Sequence, residues 1–155
     1  MSMVFEIAAW LIFAGFGLAL SVIDMREHRL PNNLVAVAAL LGLAAVAASA
    51  ISSGDLGSLV RAVLGAVMVF GALLVMALIA PSGLGMGDVK LGALTGLYLG
   101  WLGWSWLFWG TFIGFCLGAV WAVALILLKR AQSSTPIAFG PFLILGVVVS
   151  ALLAI

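Results

Sequence analysis

Apolar residues run along almost the whole chain and give way to polar ones at only a few places. Residues 4–23 form the first apolar run, about the length a helix needs to cross a bilayer. Asp24 to Asn33 is the densest polar stretch, and Pro31 within it suits the first turn of a following helix. A second run covers 31–52, a turn follows through Ser52, Ser53, Gly54, Asp55 and Gly57, and a third run covers 58–80. Pro81 to Asp88 is the next break, rich in glycine. From Asp88 to Arg130 the apolar character hardly stops. At about 1.5 Å per residue that stretch is too long for one helix and suits two, 88–102 and 104–128, hinged near Gly100–Gly103. Lys129 to Pro136 is a polar loop, and 137–155 is the sixth run.

The pattern predicts an all-α membrane protein, residues 1–155 forming one integral-membrane domain of six transmembrane helices. The first run does not read as a secretory signal: its front end carries Glu6 and no basic residue, and no small-residue cleavage site follows. With six spans, Arg26, Arg29, Lys90, Lys129 and Arg130 share the face that carries Asp24, and only Arg61 lies near the other. Basic residues gather on the cytoplasmic side. Asp24 and Asp88 are therefore expected at the cytoplasmic face, with both termini extracytoplasmic. Trp101, Trp104, Trp106 and Trp109 suit an aromatic belt at the opposite interface.

Composition agrees. The 155 residues are 66% hydrophobic and 7% charged, where a soluble domain carries about 25% charged residues. A net charge of +1 gives no sign of nucleic-acid binding. The single Cys116 excludes an internal disulfide and a cysteine metal cluster, and His28 is the only histidine available to a Ser-His or Cys-His machine.

Two acids remain as candidate chemistry. Asp88 follows Gly85-Met86-Gly87 at the start of a span, and Asp24 follows the first run. Carboxylates at a span edge are costly and usually functional. Asp88, Gly92, Gly96 and Gly100 repeat every fourth residue, and Gly17, Ser21 and Asp24 share a small, polar face, so both acids should look into the bundle. Two close carboxylates share a proton and supply both the acid and the base that peptide hydrolysis needs. The helix macrodipole suggests Asp88, opening a helix, as the base and Asp24, closing one, as the acid. Gly85 and Gly87 would let an extended peptide approach the backbone beside Asp88. Lys90 is expected to snorkel to the interface. Gly110, Gly114 and Gly118 form a second stripe, read as helix packing, with a homo-oligomer as the lesser reading.

Three stretches resemble the type IV prepilin peptidases: Asp24 to Asn32, Gly85 to Leu91 (GMGDVKL), and Pro136 to Phe142 (PIAFGPF). The resemblance implies a bundle of six helices in the bacterial cytoplasmic (inner) membrane, its active site facing the cytoplasm. It implies Asp24 and Asp88 as the catalytic pair, Gly85, Met86 and Gly87 as the loop beside it, and no metal or organic cofactor. The implied substrate is a prepilin or pseudopilin precursor, whose short basic leader is cut from an apolar helix. The third motif holds no catalytic group and is expected to shape the loop and helix start beside the site. Longer members carry a Cys-rich zinc-binding extension and are linked to N-methylation. This chain is similar to the small form associated with Flp/Tad-type pili, so peptidase activity alone is expected. Two rivals stay open: a proton-coupled transporter, and a non-catalytic pilus-assembly scaffold.

Overall fold

The computed structural model describes residues 2–27, 30–79, 84–128 and 139–154. They form six helices: α1 (Ser2–Glu27), α2 (Asn32–Ser53), α3 (Leu56–Ile79), α4 (Met86–Leu102), α5 (Trp104–Leu127) and α6 (Gly140–Ala154). No strand occurs among the described residues. Each helix follows one of the six apolar runs. The largest departures are α1, which outlasts its run to Glu27, and α6, which begins at Gly140. His28, Arg29, Lys129, Arg130 and the polar loop up to 138 lie outside the described residues.

The turns follow from local chemistry. Gly54 closes α2 at φ 75°, a left-handed conformation that glycine adopts without steric cost. Asp55 Oδ1 then accepts the Ser58 N–H at 3.1 Å and opens α3. Gly103 alone separates α4 from α5. Its φ of 146° disfavours a side chain, and it accepts from Leu107 N at 2.9 Å while donating to Leu99 O at 3.1 Å.

Four helices, Met3–Glu27, Asn32–Ser53, Leu56–Ile79 and Trp104–Leu127, are long and apolar enough to cross a membrane. α4 has 17 residues, about 25 Å, and α6 has 15, about 22 Å, both short of a full crossing when upright. α4 compensates by position. It packs against α2, α3, α5 and α6, and every residue from Leu94 to Gly100 is buried. Lipid is as apolar as leucine, so close packing and interhelical hydrogen bonds hold such a bundle together. The α3–α4 contact is the most extensive. There Gly96 meets the Gly65 backbone, Gly100 meets Arg61 and Ala62, and Gly92 admits Leu73. On the other side of α4, the buried Tyr98 hydroxyl donates to Ala9 O of α1 at 2.8 Å. Its ring packs with Trp10, Phe13 and Trp101. Trp101 also stacks on Trp10 at 5.8 Å, so it belongs to this inner cluster, while Trp104 and Trp109 stay exposed as a belt requires. Gly110, Gly114 and Gly118 pack within the chain, against Leu99, Ser150, Phe142 and Phe139.

Candidate active site

At one end of the bundle lie the end of α1 and the starts of α2, α4 and α6. α4 opens on Gly85, whose extended backbone (φ −73°, ψ 148°) leaves its carbonyl to accept Asp88 N at 3.0 Å and Val89 N at 3.3 Å. The first helical turn thus begins at Met86 and presents Asp88. The α2 start is tied to it. Buried Leu30 lies over Gly87, where a Cβ would stand 3.0 Å from the Leu30 Cβ. Lys90 Nζ donates to Asn32 Oδ1 at 2.6 Å. Gly87 is therefore a packing glycine as well as a turn glycine, and Lys90 finds a protein acceptor at the interface. Gly85 and Met86 are exposed beside it.

Asp24 and Asp88 are 5% and 6% exposed, while neighbours Met25, Arg26 and Met86 face outward. Both acids look into the bundle, as their spacing predicts. They also lie near enough for the Asp24 charge to bear on Asp88. Gly17, on the Asp24 face of α1, packs against Ile144 of α6 and keeps those two helices close.

The third participant is a backbone group. The Gly140 N–H, at the first residue of α6, donates to Asp24 Oδ2 at 3.1 Å. The same N–H lies close enough to act on the Asp88 carboxylate as well. Among the described residues, Asp88 Oδ1 is buried without a hydrogen-bond partner. Chain segments 24, 88 and 140 thus converge.

One sequence expectation fails here. α1 does not end at Asp24 but runs on to Glu27, and Asp24 faces the N-terminus of α6. Asp88 stands in the first turn of α4. Both carboxylates therefore sit at positive helix ends, and the macrodipole does not separate acid from base.

Two groups escaped the sequence reading. Gly140 does more than shape a helix start, since its N–H touches the carboxylate. A glycine directly before Pro141 was the only signal, and it does not say which acceptor the N–H meets. Tyr98 is the only tyrosine of the chain, inside an apolar helix, and its partner is an α1 carbonyl that no side-chain pattern marks. Among the described residues, no group of three or more His, Cys, Asp or Glu could hold a metal ion.

Comparison with known proteins gives a consistent picture. A model of the type IV leader peptidase family matches residues 11–123, a stretch that includes both aspartates. The prepilin leader peptidase/N-methyltransferase of Stutzerimonas stutzeri is 36% identical over 131 residues, covering 81% of this chain and 43% of the relative. The protein of the same name from Pseudomonas aeruginosa is 35% identical over 127 residues, covering 81% and 42%. That of Escherichia coli is 38% identical over 143 residues, covering 89% and 60%. The chain thus spans less than half the length of the first two relatives. No solved structure matches it.

Proposed function

This chain belongs to the type IV leader peptidase family, and on that premise we propose that it is an aspartic endopeptidase that removes the short basic leader of prepilin-like precursors. Asp24 and Asp88 are the catalytic pair. The observation that supports this reading is their convergence: two acids far apart in sequence lie buried at one end of the bundle, near enough to act on each other, and no other charged side chain is buried among the described residues.

The chemistry follows from that proximity. Two carboxylates this close resist double ionisation, so the pair holds one proton between them. The ionised member takes a proton from a water lying between them, and the water attacks the scissile carbonyl carbon. The protonated member gives its proton to the carbonyl oxygen, which leaves a gem-diol. The member that took the water proton then passes it to the leaving amine, while the other takes a proton back from a diol hydroxyl as the C–N bond breaks. The pair ends with one proton, ready for the next turnover. Only the singly protonated pair works, so kcat should follow a bell against pH, failing when both acids are protonated and when both are ionised.

The precursor's apolar helix lies in the bilayer against the bundle, and its basic leader stays on the side that Arg26 and Lys90 face, read as the cytoplasm of a bacterial inner membrane. Six spans in one domain, both termini on the opposite side, complete this topology; the shorter α4 and α6 cross within the bundle. Exposed Gly85 and Met86, with half-buried Gly87 behind them, form the lip where the substrate backbone unwinds beside Asp88. A glycine at the cut, a poor helix former, eases that unwinding. Hydrolysis is what a carboxylate pair supplies, and the second activity in the relatives' names requires a methyl donor for which the pair does nothing.

Co-expression with a candidate pilin precursor tests the proposal. Wild type should shorten the precursor, and Asp24→Asn and Asp88→Asn, folded and membrane-inserted, should leave it intact. If either variant cuts at the wild-type rate, that residue is not catalytic. If wild type leaves several such precursors whole, the peptidase reading is wrong.

A further inference from the structure

The contact between α6 and the paired acids carries a role for a residue with no side chain. Gly140 N stands 3.1 Å from Asp24 Oδ2, in hydrogen-bonding geometry, and also acts on Asp88. It is the first residue of α6, so its N–H is one of those left without an intrahelical acceptor, and it points along the positive end of the helix. A hydrogen bond to an ionised carboxylate is shorter and stronger than a neutral one, and it fixes direction.

Steric crowding at the same position is independent of that bond. A Cβ at Gly140 would stand 2.7 Å from Asp24 Oδ2, 3.3 Å from Asp24 Cγ and 3.2 Å from Leu91 Cδ2. The carboxylate group itself is the obstacle, and it is 5% exposed with little room to retreat. The glycine therefore does two things at once. It brings a backbone donor onto the acids, and it leaves room for Asp24 to lie against that donor. Pro141, which has no N–H, follows at a position where helices leave that group unpaired anyway.

We propose that Gly140 is a positioning residue of the peptidase site, whose N–H orients the Asp24 carboxylate toward Asp88 and whose missing side chain makes that orientation possible. The inference rests on the peptidase reading for its kinetic consequence but not for the contact itself. Without the N–H, the Asp24 carboxylate would lose one of the contacts that orient it, and the water between the acids would lose its alignment. Misplacing a catalytic group by about 1 Å costs on the order of a hundredfold in rate.

Two experiments test it. The first compares wild type and Gly140→Ala in steady-state cleavage of a precursor in detergent or liposomes. Substrate contacts are untouched, so kcat should fall by about a hundredfold while KM stays within about twofold. An unfolded fraction would also lower apparent kcat at unchanged KM, so both rates are taken per folded, membrane-inserted enzyme. Pro141→Ala keeps the Gly140 N–H and adds nothing beside Asp24, and it should keep wild-type kcat.

The second needs no activity and no substituted glycine. Carbonyl-13C phenylalanine with 15N glycine marks only the three Phe-Gly pairs of the chain, Phe16-Gly17, Phe70-Gly71 and Phe139-Gly140. The Gly140 amide proton should move upfield in Asp24→Asn, while the Gly71 amide stays in place. A folded Gly140→Ala with wild-type kcat overturns the inference, as does a Gly140 amide indifferent to Asp24→Asn. Failure of the peptidase reading would look different: wild type would cut nothing, and the amide shift would still report the contact.

Discussion

α4 and α5 are built on the same device and end in opposite surroundings. Each carries glycine at every fourth position: Gly92, Gly96 and Gly100 on α4, and Gly110, Gly114 and Gly118 on α5. Each uses that stripe to bring a neighbour's backbone or ring close. α4 is then covered on its remaining sides by α2, α5 and α6, whereas α5 leaves Phe108, Trp109, Phe112 and Trp121 exposed. A small-residue stripe decides which neighbour a helix meets, and burial of its other faces decides what those faces are able to carry. α4 carries Asp88, Thr95 and Tyr98, all buried; the exposed flank of α5 carries hydrocarbon and Cys116.

The sharpest way to break this contrast is to exchange chemistry on each helix. Asp88→Asn on α4 should lower precursor cleavage by at least about a hundredfold, the loss of an acid–base group. Cys116→Ser on the exposed flank of α5 should leave cleavage unchanged in the same assay. Packing comes next. Gly96→Ala drives a methyl into the Gly65 carbonyl oxygen, backbone against backbone, and should destabilise by about 1–3 kcal/mol in a mixed-detergent unfolding titration. Gly118→Ala meets ring atoms of Phe139 at 2.6 Å, and a side chain at a helix end has room to turn, so the loss should be smaller. Removing one buried hydrogen bond ranks third. Tyr98→Phe frees the Ala9 carbonyl and should cost about 1 kcal/mol in the same titration, with the aromatic cluster intact. Phe112→Leu, a lipid-facing change on α5, should fall within about 0.5 kcal/mol.

How far the sequence reveals all this depends on where the information sits. Helix order was legible because each apolar run is long and each break contains glycine, proline or charge. The end of α1 was not. Asp24, Met25, Arg26 and Glu27 look like a loop by polarity, yet no helix breaker occurs until Pro31, so the helix runs out past its apolar stretch. That Asp24 and Asp88 turn inward at the same end of the bundle could be inferred from their placement at span ends and from the small residues sharing their faces. The part played by Gly140 could not, since every residue but proline has an N–H, and only the fold says which one lands on a carboxylate. The same holds for the enclosure of α4. Its stripe marks one neighbour, and the other three depend on how α2, α5 and α6 close round it.

Whether the two acids act as one catalytic unit is best tested by a double-mutant comparison in precursor cleavage. Asp24→Asn, Asp88→Asn and the double variant would be purified, checked for folding, and assayed with the same precursor beside wild type. Groups that act together fail together, so the double variant should be no slower than the worse single one, and all three should lie at least about a hundredfold below wild type. Losses that multiply from single to double, or one single variant that still cuts at the wild-type rate, would contradict a shared dyad at the end of this bundle.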